Sequence, residues 1–149
     1  MTDPLALDRQ LCFSLYAASR AMTAAYRPKL EALGLTYPQY LVLLALWERD
    51  ERGVGELGEE LALDSGTLSP LLKRLQAAGL VERTRSAADE RRVEIRLTAR
   101  GRALRDEVCG FPADMAAAAG MPVAELEELR DTLHRLTRAL TTHNRSKEN

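Results

Sequence analysis

The chain contains 149 residues with a mass of 16.5 kDa, which is the size of one domain. Its 46% hydrophobic and 29% charged residues lie near the globular average and exclude intrinsic disorder, a collagen-like sequence and a pure coiled coil. The longest apolar run, Leu41 to Trp47, is far shorter than the roughly 18 residues of a spanning helix, and the first six residues do not resemble a signal peptide. We therefore expect a cytoplasmic protein with no membrane partner.

The net charge of −1 conceals a strong segregation along the chain. Residues 65–105 contain ten basic and four acidic residues, whereas both flanking segments are acidic. A basic segment between acidic flanks is typical of one module that meets phosphates, although a solvated basic surface is the plainer alternative. Two cysteines and two distant histidines form neither a disulfide scaffold nor a zinc site, so we expect reduced thiols, no metal and no cofactor.

The first half of the chain has helical periodicity. Apolar residues from Leu7 to Ala25 recur every three or four positions, which predicts a helix from about Asp8, as its cap, to Leu33, closed by Gly34. Pro38 lies near the start of a second helix through Leu41–Trp47, and the apolar spacing between 54 and 61 predicts a short third helix.

A fourth helix is predicted at residues 65–78, ending at Gly79, with an apolar stripe formed by Leu68, Leu71, Leu72 and Leu75. Pro70 is compatible with this helix if Thr67 is its N-cap, because proline is tolerated in the first turn. The period then changes to two at 81–85 and 93–97, which predicts a hairpin with a charged tip at 86–92.

Two further helices complete the predicted order. Thr98 caps a helix from Ala99 to about Cys109, which Gly110 and Pro112 interrupt. Apolar residues from Val123 to Leu140 give a final amphipathic helix, and residues 144–149 are expected to fray.

Two short helices followed by a charged hairpin predict a winged helix-turn-helix, a mainly α fold with a small β-hairpin wing, rather than a plain three-helix core with an incidental hairpin. The apolar stripe anchors helix 65–78, which leaves polar residues for a DNA major groove: Ser65, Thr67, Ser69, Pro70, Lys73 and Arg74. The wing tip adds Asp89, Arg91 and Arg92, and we expect the Asp89 carboxylate to orient the Arg91 guanidinium toward a minor groove.

Several motifs carry a resemblance to a known family. Asp89 through Arg91, the apolar strand, and Leu97-Thr98 followed by Gly101 resemble the wing signature of the MarR family of dimeric winged-helix regulators. Four more segments resemble the organic hydroperoxide resistance regulators (OhrR) of that family: Leu11 to Tyr16, Tyr26 to Pro28, Leu35 to Tyr40 and Leu63 to Leu68. The resemblance covers roughly residues 8–101.

The resemblance implies a DNA-bound repressor whose N-terminal cysteine reacts with organic hydroperoxides and then releases the operator. Cys12 occupies the place of that cysteine, and Tyr16, Tyr26 and Tyr37 occupy those of the surrounding tyrosines. Helical geometry places Cys12, Tyr16 and Tyr26 on one face, but Tyr26 lies about 21 Å along the axis from Cys12. Tyr26 therefore reaches a thiol only from the second subunit of an antiparallel homodimer.

The second thiol leaves two mechanisms open. One branch of the subfamily resembles a two-cysteine design, with a resolving cysteine just before a small-residue stretch that ends in Gly. Cys109 is a possible resolving thiol, but it lies several residues upstream of that stretch, Ala116 to Gly120, and reads equally well as the end of a core helix. We prefer a one-cysteine mechanism in which a sulfenic acid at Cys12 is capped by a small-molecule thiol. The helix start favours a thiolate at Cys12, although a cysteine on an apolar helical face is often a plain core residue.

Three functions compete for this pattern: a redox-sensing repressor, a MarR-type regulator gated by a small aromatic ligand with Cys12 not the sensor, and a thiol peroxidase. The peroxidase is least favoured, because an enzyme has no use for a DNA-reading module. We expect a single domain over 1–149, with the DNA-binding part at about 36–101 and dimerisation helices at about 5–35 and 102–143. The expected partners are double-stranded operator DNA and a second copy of the chain.

Overall fold

The computed structural model describes residues 3–148, and in that range it contains seven α-helices and three short strands. They are α1 (Leu11–Glu31), α2 (Tyr37–Glu48), β1 (Arg52–Gly53), α3 (Val54–Leu61), α4 (Ser65–Ala77), β2 (Val81–Arg85), β3 (Val93–Leu97), α5 (Ala99–Val108), α6 (Phe111–Ala119) and α7 (Val123–Lys147). The chain divides into two compact units between Cys109 and Gly110. Across this described range, no helix has both the length and the apolar character needed to cross a membrane.

The first helix begins later than its apolar period predicts. Asp8 does not cap it but lies in a separate 3-10 turn, Leu7–Arg9, because the backbone of Gln10 is extended and breaks the helix. The Gln10 side chain donates hydrogen bonds to the carbonyls of Pro4 and Ala6 and so stabilises that turn. At the other end Gly34 adopts a φ of +70° and Leu35 N–H bonds the Leu30 carbonyl at 2.9 Å, which confirms the predicted glycine stop.

Helices α2, α3 and α4 form the core of the first unit. Thr36 and Gln39 make a reciprocal capping box at the start of α2, with Pro38 in its first turn as predicted. The predicted apolar stripe of α4 is confirmed: Leu68, Leu71, Leu72 and Leu75 are all buried. Burial of these side chains fixes which face of α4 remains exposed.

The N-terminus of α4 differs from the prediction. Thr67 is not the N-cap; the Asp64 carboxylate accepts a hydrogen bond from Thr67 N–H at 2.7 Å and caps the helix three residues earlier. A carboxylate satisfies an unpaired N–H and also complements the helix dipole, which favours Asp64 over Thr67. Pro70 consequently lies inside the helix, where it has no N–H to donate to the Gly66 carbonyl.

The predicted hairpin is confirmed, and a third strand joins it. The sheet has the order β1-β3-β2, fully antiparallel, with Val81 opposite Leu97 and Arg52 opposite Ile95. Periodicity missed β1 because two residues are too few to show a period. Its Arg52 is buried, and its guanidinium donates to Glu56 at 2.9 Å, to Glu60, and to the Ala45 carbonyl at 3.3 Å. Two ion pairs therefore connect β1 to α3, and a hydrogen bond connects it to α2.

Helix α5 is fastened to the end of α4 through backbone contacts. Thr98 caps α5 as predicted, accepting from Gly101 N–H at 3.0 Å, and its hydroxyl donates to the Gly79 carbonyl at 2.6 Å. The Thr98 N–H bonds the Leu80 carbonyl at 3.0 Å. A Cβ on Gly101 would lie 2.1 Å from that same carbonyl oxygen, so only glycine permits this approach.

The second unit consists of α6 and α7, and α6 was not predicted. Gly110 and Pro112 were expected only to interrupt α5; instead they begin a new helix, because proline is tolerated in a first turn and an alanine run follows it. The expected fraying from residue 144 is wrong for residues 144–147, which are helical in α7, and Asn149 lies outside the described residues.

The close approach at Gly101 predicts a selective loss of stability. Gly101→Ala must displace the Leu80 backbone, and we expect it to lower the free energy of unfolding by about 1–3 kcal/mol. Urea unfolding followed by circular dichroism measures this loss. Gly55→Ala is the matched control, since a Cβ at that helical position would have nothing within 4 Å and the change should be neutral or slightly stabilising; equal effects at both sites would contradict the role of the close approach.

Candidate DNA interface and thiol site

The outward face of α4 carries the polar residues predicted from the sequence. Ser65, Thr67, Pro70, Lys73 and Arg74 are exposed, while Ser69 is half-buried. Hydrogen bonds from the backbone and hydroxyl of Thr67 hold the pKa of the Asp64 carboxyl below its usual value, so this N-cap is ionised at neutral pH. The helix thus presents hydroxyls at its N-terminus and cations in its C-terminal half, a combination that suits a phosphate-lined groove.

The wing tip places its three predicted residues together, but not in the predicted arrangement. The Asp89 carboxylate accepts a hydrogen bond from the backbone N–H of Arg91 at 3.0 Å, and the Asp89 carbonyl accepts from Arg92 N–H at 2.9 Å. The expected orientation of the Arg91 guanidinium by Asp89 is therefore replaced by a turn, because a short acidic side chain bonds the nearby backbone more easily. Asp89 shapes the loop from which Arg91 projects.

Behind the tip, an open cleft of about 410 Å³ is lined by Arg83, Arg91 and Arg92 together with the start of α3. The Arg92 guanidinium packs on Gly53, where an added Cβ would lie 3.1 Å from Nη2. A hydrogen bond from Arg52, with the positive charges of Arg49 and Arg92, lowers the pKa of Glu56. The base of the wing is thus a cluster of arginines partly balanced by one carboxylate.

Cys12 is exposed and is the second residue of α1. Tyr16, one turn further along, is also exposed; its hydroxyl accepts a hydrogen bond from Arg20 at 3.1 Å, and the Arg20 guanidinium lies 5.5 Å from its ring centre. Since α1 is continuous, Tyr26 lies about 21 Å along the helix axis from Cys12. One chain therefore does not bring all four predicted sensor residues together.

The structure does bring Tyr26 and Tyr37 together, and it adds Tyr40 to them. The ring centres of Tyr26 lie 5.4 Å from Tyr37 and 5.5 Å from Tyr40, and those of Tyr37 and Tyr40 lie 6.2 Å apart. Tyr40 is only 2% exposed and donates its hydroxyl hydrogen to Tyr26. We call Tyr26, Tyr37 and Tyr40 the tyrosine cluster.

Burial keeps the tyrosine cluster protonated. It raises the pKa of Tyr26 and of Tyr37 above the usual 10.0. Burial, the neighbouring phenols and the hydrogen bond donated to Tyr26 raise the pKa of Tyr40 to about 12. At neutral pH these phenols are therefore hydrogen-bond donors and not bases.

Cys109 is the C-terminal cap of α5, and its thiol is exposed while the preceding Val108 is buried. The Cys109 thiol donates to the Asp106 carbonyl at 3.2 Å. The predicted end of a helix near Cys109 is thus confirmed. The Cys109 side chain is not a core residue, because the helix turns its thiol away from the core.

Comparison with known proteins places this arrangement in a family. A family model described as transcriptional regulator SarA/Rot matches residues 24–108. The organic hydroperoxide resistance transcriptional regulator of Bacillus subtilis (strain 168) is 44% identical over 142 residues, which span 95% of this chain and 97% of that protein. The chain belongs to the MarR family of transcriptional regulators, in its organic hydroperoxide resistance group.

Two solved structures of MarR-type regulators are also similar to this one. AbfR of Staphylococcus epidermidis, solved in its reduced form on DNA, superposes with a TM-score of 0.77 at 38% identity over 91% of this chain and 93% of that one. AbfR has been solved with a disulfide formed as well. PcaV of Streptomyces coelicolor, solved with its natural ligand, has a TM-score of 0.81 at 25% identity over 94% and 99% of the two chains.

Sequence reasoning about this MarR-family chain missed three residues at the site. Tyr40 follows Tyr37 by three positions and Trp47 follows Tyr40 by seven, so both share one face of α2 and were detectable from helical spacing. Trp47 contacts Tyr40 edge-on, with ring centres 6.4 Å apart. No helical spacing marks Arg52, because the groups that it binds surround it only when β1 forms.

The raised pKa of Tyr40 predicts a pH dependence of stability. In the unfolded chain this phenol ionises near 10.0, whereas in the folded chain it does so near 12, so its contribution is present below pH 10 and is lost as the pH rises toward 12. Wild-type protein should therefore lose unfolding free energy more steeply than Tyr40→Phe between about pH 10 and 12. Tyr16→Phe leaves the cluster intact and should follow the wild type; parallel curves for wild type and Tyr40→Phe would refute the prediction.

Proposed function

We propose that this chain is a redox-gated repressor that binds operator DNA as a homodimer while Cys12 is reduced and leaves it when organic hydroperoxides oxidise Cys12. The observation that carries this proposal is the exposed Cys12 thiol near the start of α1, the helix whose Tyr26 belongs to a cluster of neutral hydrogen-bond donors. The 44% identity to a regulator named for organic hydroperoxide resistance supports the inducer class.

Operator binding uses the exposed face of α4 and the wing. Lys73 and Arg74 project from the C-terminal half of α4 toward a major groove, and Ser65 and Thr67 meet a phosphate at its N-terminus. Arg91 and Arg92 extend from the wing toward the neighbouring minor groove, whose negative potential attracts arginine. A reduced AbfR structure on DNA supports this use of the same fold.

Dimerisation is supported by apolar surface at both ends of the chain. Leu11 on α1 is 61% exposed. None of the described residues of α7 is buried, and its apolar side chains Val123 and Leu140 are 61% and 52% exposed. The N-terminal half of α7 is acidic and its C-terminal half is basic, so two antiparallel copies pair opposite charges. A second copy of the chain covers this surface.

The dimer also completes the sensor pocket. Because Tyr26 is about 21 Å from the Cys12 of its own chain, the tyrosine that assists a thiol comes from the antiparallel partner. Its phenol donates a hydrogen bond to the sulfur and stabilises a thiolate, which is the reactive nucleophile. Tyr26→Phe and Tyr37→Phe should therefore bind operator normally when reduced but respond poorly to hydroperoxide.

The chemistry is a two-electron oxidation of sulfur. The Cys12 thiolate attacks the terminal oxygen of the hydroperoxide, an S–O bond forms, the O–O bond breaks, and the alkoxide leaves as an alcohol after taking a proton. The resulting sulfenic acid then condenses with a small-molecule thiol, which gives a mixed disulfide and one water. The added group expands the pocket and changes the separation of the two α4 helices, which must match successive major grooves roughly 34 Å apart.

A MarR-type regulator gated by a small ligand is the second candidate. The similarity to PcaV, solved with its natural ligand, favours it. The DNA-binding surface is the same under both functions, but Cys12 is dispensable if a ligand opens the pocket.

Replacement of Cys12 separates the two candidates. Cys12→Ser should bind operator with wild-type affinity and lose hydroperoxide-induced release entirely, measured by fluorescence anisotropy with labelled operator. Release from Cys12→Ser at the wild-type hydroperoxide concentration would show that Cys12 is not the sensor, whereas a wild type that hydroperoxide does not release would leave the ligand-gated function.

Cys109→Ser is the matched cysteine control. It retains Cys12, so we expect nearly normal release when a small thiol is present. Loss of release while Cys12 still oxidises would show that the one-cysteine mechanism is wrong and that Cys109 is the resolving residue.

A further inference from the structure

We propose that Trp47 is the positioning residue through which a change at the tyrosine cluster reaches the C-terminal end of α4. This inference rests on the proposed redox function and concerns how oxidation becomes operator release. It is carried by a continuous set of contacts within the first unit, from Tyr26 through α2 and the start of α5 to the turn that follows α4.

The first contact joins the tyrosine cluster to Trp47. Tyr40 packs against Tyr26 and Tyr37 on one side and against the Trp47 ring on the other, edge-on, with centres 6.4 Å apart. Tyr40 is almost fully buried and its hydroxyl is bonded to Tyr26, so it has little room to move alone. A displacement of Tyr26 therefore changes the surroundings of Trp47.

The second contact joins Trp47 to α5. The indole Nε1–H donates a hydrogen bond of 2.9 Å to the carbonyl of Gly101, 54 residues later in the chain. Indole has only this one donor, so the bond fixes the ring orientation relative to the backbone of α5. Trp47 thus connects α2 to the first turn of α5 through a directional interaction.

The third contact joins α5 to the recognition helix α4. Gly101 lies against the Leu80 carbonyl with no room for a Cβ, Thr98 donates to Gly79 at 2.6 Å, and Arg100 donates to Ala78 at 3.2 Å. The three residues contacted, Ala78, Gly79 and Leu80, are those that directly follow α4. A shift of the Gly101 backbone therefore moves the end of α4, because the contact has no free space to absorb it.

Trp47 is the single tryptophan of the chain, so the tryptophan fluorescence of the wild-type protein reports on the surroundings of this residue alone. We expect the Trp47 emission of the full-length dimer to change after addition of cumene hydroperoxide with a small thiol present, at the same rate as release of labelled operator. Cys12→Ser should show no change. Operator release from the wild type with unchanged tryptophan emission would overturn the proposal.

A substitution at Trp47 measures how strongly oxidation of Cys12 is coupled to operator release. Trp47→Phe keeps an aromatic ring beside Tyr40 and removes the indole donor together with the five-membered ring that carries it. We expect its reduced operator affinity to stay within about twofold of the wild type and Cys12 to oxidise at the wild-type rate. The ratio of oxidised to reduced dissociation constants should fall about fivefold, the typical contribution of one hydrogen bond. Leu44→Ala, an exposed position one turn earlier on α2, is the control and should keep the wild-type ratio.

The outcomes separate this proposal from the function on which it rests. If hydroperoxide fails to release wild-type protein, the redox function is rejected and the role of Trp47 with it. If the wild type is released but Trp47→Phe keeps the full ratio, only the role of Trp47 is rejected. If Trp47→Phe does not fold or bind operator, the wild-type emission experiment decides.

Discussion

The contact between Gly101 and the Leu80 carbonyl is the constraint on which the rest of the DNA-binding unit depends. It brings the first turn of α5 against the turn after α4, and the Thr98 bonds to Gly79 and Leu80 are possible only at that separation. The same Gly101 residue accepts the Trp47 indole hydrogen, so a single backbone position joins α2, α4 and α5. The orientation of α4 is thus held by neighbouring backbone and not by its apolar stripe alone. Close-packed backbone contacts transmit displacements better than flexible side chains do.

The exposed cations and the buried tyrosines of this unit have different roles. The α4 face and the wing keep their cations exposed, where they are available to phosphates, while Arg52 buries its guanidinium among carboxylates and the Ala45 carbonyl. The tyrosine cluster lies apart from these cations, and burial keeps its phenols neutral. In the redox function proposed above, the DNA phosphates and the Cys12 sulfur of the partner subunit meet different hydrogen-bond donors of the same unit. Oxidation of that sulfur would then leave unchanged the charges that contact the operator.

Periodicity and turn chemistry predicted most of the fold, and the failures have identifiable causes. The buried stripe of α4, the two strands of the hairpin and the Thr98 cap follow from local sequence and are confirmed. The Thr67 cap and the Asp89 pairing with the Arg91 side chain failed where nearby polar groups offered an alternative hydrogen bond, a choice that spacing does not decide. The β1 strand depends on pairing with a strand distant in sequence, Arg52 opposite Ile95, and this pairing places Arg52 among partners that are close in sequence. The tyrosine cluster was predicted only in part: Tyr26 and Tyr37 were assigned to the sensor pocket, whereas Tyr40, at the end of the Leu35 to Tyr40 motif, was given no role.

The central claim is that each sensor pocket combines Cys12 of one subunit with Tyr26 of its partner. A mixed dimer of a Cys12→Ser chain and a Tyr26→Phe chain, isolated with two different affinity tags, tests it directly by hydroperoxide-induced release of labelled operator. If the pocket forms across subunits, one pocket of the mixed dimer retains both native residues, so the mixed dimer should respond although each parent homodimer responds poorly. If Cys12 and Tyr26 act within one chain, neither pocket is complete, and a mixed dimer as unresponsive as its parents would contradict the account.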